Sequence, residues 1–151
     1  MKASKYLLVA LQMLLICEEH KDEKITSAYL ASKIGCDPVI VRQLMTSFRD
    51  AGIMESKVGS GGITMLKSLS EITMFDIYQI VEINFCKAAS ADVMSMVFYS
   101  SGINAGPEEF AMHDAINDSL QEQYFAYINK MKEESISDLY KRYKKCTKRY
   151  K

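Results

Sequence analysis

Apolar and polar residues follow one another along this chain mainly with the period of a helix, interrupted once by two short strand-like runs. From Ser4 to about Glu19 the residues are largely apolar all round, which predicts a first helix buried by more than one neighbour. Beyond the charged run from Glu18 to Lys24, Thr26 is placed to cap a second helix carrying Leu30, Ala31 and Ile34. Gly35 can close that helix in the left-handed conformation, Asp37 can cap the next, and Pro38 suits its first position. Two helices therefore meet across a tight turn. The third helix carries Val41, Leu44, Phe48 and Ala51 on one face and Val39, Arg42, Gln43, Thr46 and Arg49 on the other, and Gly52 stops it. Ile53 to Lys57 and Ile63 to Leu66 read as two strands joined by Gly59-Ser60-Gly61-Gly62. Helix, turn, helix and hairpin in that order make a winged helix.

Thr73 or Ser70 can cap a fourth helix running through Phe75, Ile77, Tyr78, Ile80 and Val81. The pattern weakens over 83–106, where Gly102, Gly106 and Pro107 mark a loop, and a ligand pocket is expected there. From Pro107 a long helix begins, with Glu108 and Glu109 suiting its positive N-terminal end. Phe110, His113, Ile116 or Asn117, Leu120, Tyr124, Tyr127 and Met131 recur in it at spacings of three and four, which predicts a seam for a twin helix. A second stripe, Phe125 and Ile128, would face the helix's own domain. "SISDLY" opens a last short helix that fades into a basic, solvated end. The expected organisation is thus a winged helix-turn-helix DNA-binding domain over 1–82, a linker or sensing region over 83–107, a dimerisation helix over 108–134, and a short helix with a basic tail over 135–151. The fold class is mainly α with a small β-hairpin wing.

Net charge is zero over the 151 residues, but the distribution is uneven. Residues 68–134 carry eleven acids against three bases, and residues 135–151 carry seven bases against one acid. Residues 1–67 hold nine bases and seven acids, so the neutral sum says little about the winged helix. The four cysteines, Cys17, Cys36, Cys86 and Cys146, form no CxxC pair, which suits neither a zinc knuckle nor a disulfide framework. Lys2 and Lys5 before an apolar run ending at Cys17 resemble a lipoprotein signal. Bulky Ile16 directly before the cysteine and polar Gln12 within the run argue instead for a buried helix and a cytoplasmic protein away from membranes.

Candidate chemistry is sparse. The glycine loop lacks the Lys-Ser/Thr ending of a phosphate-binding loop and opens no helix, so it reads as a wing tip or a plain hairpin turn. His20 and His113 lack ligand-spaced partners and read as a loop residue and a seam residue, so no metal or cofactor is expected. No residue set forms a catalytic triad, carboxylate pair or nucleotide fingerprint, and the chain is not expected to be an enzyme. Cys36 is a candidate sensor because a helix N-terminus lowers a thiol pKa, against the plainer role of a small packed residue.

The stretch "TSAYLASKIGCDPVIVRQLMTSFRDAGIMESKVGSGGITML", followed by "LSEITMFDIYQIVE", resembles the Rrf-two type of bacterial winged-helix transcription factors, the family of IscR, NsrR and CymR. The resemblance is strongest over residues 3 to 82 and continues loosely to about Tyr140. It implies a dimeric repressor bound to double-stranded DNA, with Cys86 near the family's sensing region. This chain departs from the pattern at Val58, where the family usually has an arginine, and at Ile63, where it often has a third wing glycine. The three clustered cysteines that hold an iron-sulfur cluster in some members are absent.

Together these features predict a homodimeric repressor on a palindromic operator, with a small-molecule effector. The DNA-contacting set is Lys5, Ser27, Pro38, Val39, Arg42, Gln43, Thr46, Arg49, Lys57, Ser60 and Gly61. The dimerisation set is Phe110, Ile116, Leu120, Tyr124, Tyr127 and Met131, and the sensor candidates are Cys86 and Cys36. Two alternatives stay open from the residues alone: a winged-helix interaction module without DNA binding, and a regulator that senses oxidation through cysteine.

Overall fold

The computed structural model describes residues 4–56, 62–85 and 106–150. Helix α1 spans Lys5–Glu19, α2 Ser27–Ile34 and α3 Pro38–Asp50. Each starts where a side chain satisfies a free backbone donor: Ser4 accepts from Leu7 N–H, Thr26 from Tyr29 N–H, and Asp37 from Val39 N–H. Gly35, at φ 74°, ends α2, and its N–H and that of Cys36 both reach the Ala31 carbonyl. Gly52, at φ 67°, does the same for α3, with Ile53 N–H donating back to the Phe48 carbonyl.

Strands β1 (Met54–Ser56) and β2 (Ile63–Met65) pair antiparallel with Met54 opposite Met65. Two further bonds fix this hairpin to the helices. Leu66 N–H donates to the Ile53 carbonyl, and Ile63 N–H donates to the Ile25 carbonyl just before α2. The base of the wing is therefore registered against the first turn of α2.

The core gathers Ala10, Met13 and Leu14 of α1, Leu30 of α2, Val41, Leu44 and Phe48 of α3, Ile53 and Met54, and Ile72, Ile77 and Val81, all essentially inaccessible. Each of the larger side chains contributes about 1.5–3 kcal/mol relative to exposure, and α3 is held through the single face that carries Val41, Leu44 and Phe48. Ala51 was expected on that buried face, yet it is exposed. It caps α3 with its N–H on the Arg49 and Ser47 carbonyls, and the left-handed Gly52 turns the chain away there.

After a short 3-10 turn (Leu69–Glu71), α4 (Met74–Tyr78) opens on a capping box between Thr73 and Asp76. It passes directly into a π-helical stretch, Gln79–Phe85, that packs against both α1 and α3. On that stretch Glu82 is buried and accepts from Ser4 N–H at 3.0 Å, tying it to the start of α1.

Helix α5 (Pro107–Glu133) and helix α6 (Ile136–Thr147) complete the described chain. The junction between them pairs with the entry to α4: Met74 N–H donates to the Glu134 carbonyl, and Ile136 N–H to that of Ile72, both at 2.8 Å. The basic run was expected to fade from helix at once, but α6 continues through it to Thr147. Its capping box (Ser135, Asp138) and a distant carboxylate, Glu19 at the end of α1, hold it.

Candidate nucleic-acid interface

The outer face of α3 is an exposed, largely polar surface that the core leaves uncovered. Val39, Arg42, Gln43, Thr46 and Arg49 are all exposed, as is Pro38 at its N-terminal end. Because Val41, Leu44 and Phe48 are sealed, the orientation of α3 about its axis is fixed and this face points outward. Among the expected contact residues on this face there are two guanidinium groups and no acid; Arg49 lies 3.6 Å from exposed Asp50, a contact weak in water. Thr46 and Ser47 turn their hydroxyls back onto the carbonyls of Arg42 and Gln43, at 3.1 and 3.4 Å.

Beside this face lies a groove of about 370 Å³ between α3, the start of α2 and the base of the wing. It brings together four of the expected residues, Ser27, Arg42, Thr46 and Arg49, and adds Thr26, Met45, Ser56 and Gly62. The sequence reading assigned Thr26 only to capping; its position at the mouth of α2 is the signal that would have found it. Lys5 opens α1, exposed, with its ammonium 5.2 Å from the centre of the Tyr6 ring, and does not line this groove. Lys57, Ser60 and Gly61 lie outside the described residues, as does Cys86.

Of the expected seam on α5, Phe110, Ile116, Leu120 and Tyr127 are exposed. Tyr124 and Met131 are instead half-buried against the core of their own domain, alongside fully packed Ile128. The reason is angular. Tyr124, Ile128 and Met131 follow one another at four and three residues on one face, whereas Met112, Ile116, Leu120 and Tyr127 form a neighbouring outward stripe. The ring of Tyr127 still meets Tyr78 edge-on at 6.4 Å.

The Cys36 thiol is half-buried and is pushed up from its ordinary pKa, first by burial and then by the Asp37 carboxylate, which outweighs the lowering expected from the helix end. Burial pushes Cys17, at 2% exposure, up to about 12.

Helix, turn, helix and hairpin in this order, with an exposed outer face on α3, make a winged helix-turn-helix, the fold class of many nucleic-acid-reading proteins. Residues 3–142 match the Rrf2 family, described as "Iron-dependent Transcriptional regulator", and the chain belongs to that family of transcriptional regulators. YwgB of Bacillus subtilis (strain 168), which carries the name of an HTH-type transcriptional regulator, is 27% identical over 125 residues, covering 82% of this chain and 74% of its own length. Among solved structures, T. potens IscR superposes with a TM-score of 0.65 at 14% identity, over 93% of this chain and 87% of that one. CymR, the global cysteine regulator of B. subtilis, superposes with a TM-score of 0.56 at 17% identity, over 93% and 97% of the two chains.

The iron in the family's description has no fitting donor set among the described residues, where no three His, Cys, Asp or Glu side chains converge. Cys17 is sealed in the core, Cys36 sits in the turn before α3, and Cys146 is exposed on α6. His20 Nδ1 is 2.9 Å from Glu23 and its Nε2 is 3.4 Å from the Tyr29 hydroxyl, while His113 Nδ1 is 3.0 Å from the Asn117 amide. Among the described residues, no helix is long and apolar enough to cross a membrane.

Proposed function

We propose that this protein is a homodimeric, cytoplasmic repressor that places one α3 helix in the major groove of each half of a palindromic operator, under the control of a small effector acting at 83–107. The observation that carries the reading is the bare face of α3: Arg42, Gln43, Thr46 and Arg49 stand in solvent while the opposite face is locked into the core. Such a face suits base edges in a groove wide enough to admit a helix. The adjoining groove, with Ser27 at the start of α2, suits a phosphate backbone passing alongside. For the dimer, the outward stripe of α5, with Met112, Ile116 and Leu120 each at least 46% exposed, is the support.

The test is selection of bound fragments from genomic DNA, followed by a salt series on the selected duplex and on a random one. An enriched inverted repeat, released by salt with a slope of several counterions, is the expected result. Failure to enrich any sequence, with no retention on heparin at low salt, would favour a protein-interaction module instead.

A further inference from the structure

The proposed function leaves open what sequence α3 reads, and the arrangement of its outer face narrows it. Successive helix residues are turned by about 100° (3.6 per turn), so Val39 and Thr46, seven apart, fall on almost the same meridian, with Arg42 to one side and Gln43 to the other. Val39 and Thr46 thus occupy the crest of the face, not its flanks. The opposite meridian runs through the sealed Val41, Leu44 and Phe48, so the crest is the part of α3 farthest from the core.

Both crest residues present methyl groups. Val39 is 47% exposed, a large share for a β-branched apolar residue. Thr46 spends its hydroxyl on the Arg42 carbonyl, at 3.1 Å, which leaves the γ-methyl as its outward group. A polar crest would favour hydrogen-bonding base edges, whereas a methyl crest finds its complement in the one apolar group of the major groove, the thymine 5-methyl.

Resting on the DNA-binding reading, we propose that Val39 and Thr46 are specificity residues that each pack on a thymine 5-methyl group in every half-site, with Arg42 and Gln43 bonding to base edges beside them. The two contacts are about 10 Å apart along the helix, so they fall on different base pairs.

The experiment uses the full chain and the best duplex selected from a random pool. Each thymine of one half-site is replaced singly by deoxyuridine, which removes only the methyl. The wild-type protein is expected to lose roughly four-fold in affinity at two positions, the worth of one buried methyl each. Val39→Ala should erase the sensitivity at one position and Thr46→Ser at the other. Thr46→Val, which keeps the methyl and discards the hydroxyl, should retain it. Both sites are exposed, and unchanged helix content by circular dichroism confirms that the variants fold. If uracil is tolerated at every position, or if both variants keep the wild-type pattern of sensitivity, the methyl-reading crest is wrong although DNA binding stands. If the pool yields no enriched duplex at all, the DNA-binding reading itself falls and takes this inference with it.

Discussion

Lys144 Nζ lies 2.8 Å from a carboxylate oxygen of Glu19, joining residues 125 positions apart, and the Tyr140 hydroxyl donates to the same carboxylate at 2.6 Å. Glu19 ends α1, where a negative charge opposes the helix dipole, so the ammonium from α6 offsets an unfavourable placement as well as making a bond.

This contact makes the docking of α6 depend on pH. Hydrogen bonds from Lys144, then Tyr140, hold the Glu19 carboxyl below its usual range. A depressed folded pKa gives stability that is complete above the unfolded value, about 4.3, and is lost as pH falls through the folded one. Asp138, held down to about 2 by Lys141 and Ser135, keeps its capping box to lower pH. Acidification should therefore release the C-terminal half of α6 before its first turn. Amide protection factors across 139–147, compared between pH 7 and about pH 3, below the ordinary carboxylate value and above that of Asp138, check this, and Glu19→Gln should remove the difference. An unchanged pH profile in that variant would rule the contact out as the cause.

Gly35 sits at φ 74° with nothing within 4 Å of where a Cβ would stand. Any loss on substitution is then backbone strain and not collision. Gly35→Ala should cost about 1–2 kcal/mol by chemical denaturation, and Gly35→Asn distinctly less, because asparagine tolerates the left-handed region. Equal losses for the two would point to a clash after all.

Arg42 lies within the two central turns of α3, whereas Arg49 lies near its C-terminal end beside Asp50. Arg42→Ala should cost roughly 1–3 kcal/mol on the operator and relax the preference at one base per half-site. Arg49→Ala should weaken operator and random duplex alike and flatten the salt slope by about one counterion per subunit. Uniform losses for Arg42→Ala would reassign it to phosphate.

The outward stripe of α5 offers a direct test of the dimer. Ile116→Asp combined with Leu120→Asp adds two charges at positions that are exposed in the isolated chain, so the fold should survive. Burying those charges without partners in a dimer would cost several kcal/mol. Light scattering at micromolar concentration is expected to report a monomer with unchanged helix content. A persistent dimer would place the interface elsewhere.

Where local chemistry decides the backbone, the sequence was a good guide. Thr26, Gly35, Asp37, Pro38 and Thr73 act within a turn of themselves, and each is found doing what its side chain suits. Which side of α3 stays exposed was legible for the same reason, since Val41, Leu44 and Phe48 fix which side is buried. Features decided by distant partners were not legible. The π-helical stretch after Tyr78 has no local signature and is held by packing on α1 and α3. The length of α6 depends on a carboxylate more than a hundred residues away, and a spacing of three and four could not say which of two adjacent apolar stripes on α5 meets its own domain. For the candidate groove, the α3 residues were readable, while Thr26 and Ser56 line it beside the Ile63–Ile25 backbone bond, a contact between residues far apart in sequence.

The paired backbone bonds that join Ile72 and Met74 to Glu134 and Ile136 anchor one end of a rod. At 27 residues, α5 is roughly 40 Å long, so a tilt of about 5° about that anchor carries its far end some 3–4 Å sideways (about 1.5 Å of rise per residue). That displacement is comparable to the step between neighbouring base pairs. A small change in how Tyr124, Ile128 and Met131 pack on the domain would therefore be amplified by leverage into a change of reach at the far end of α5.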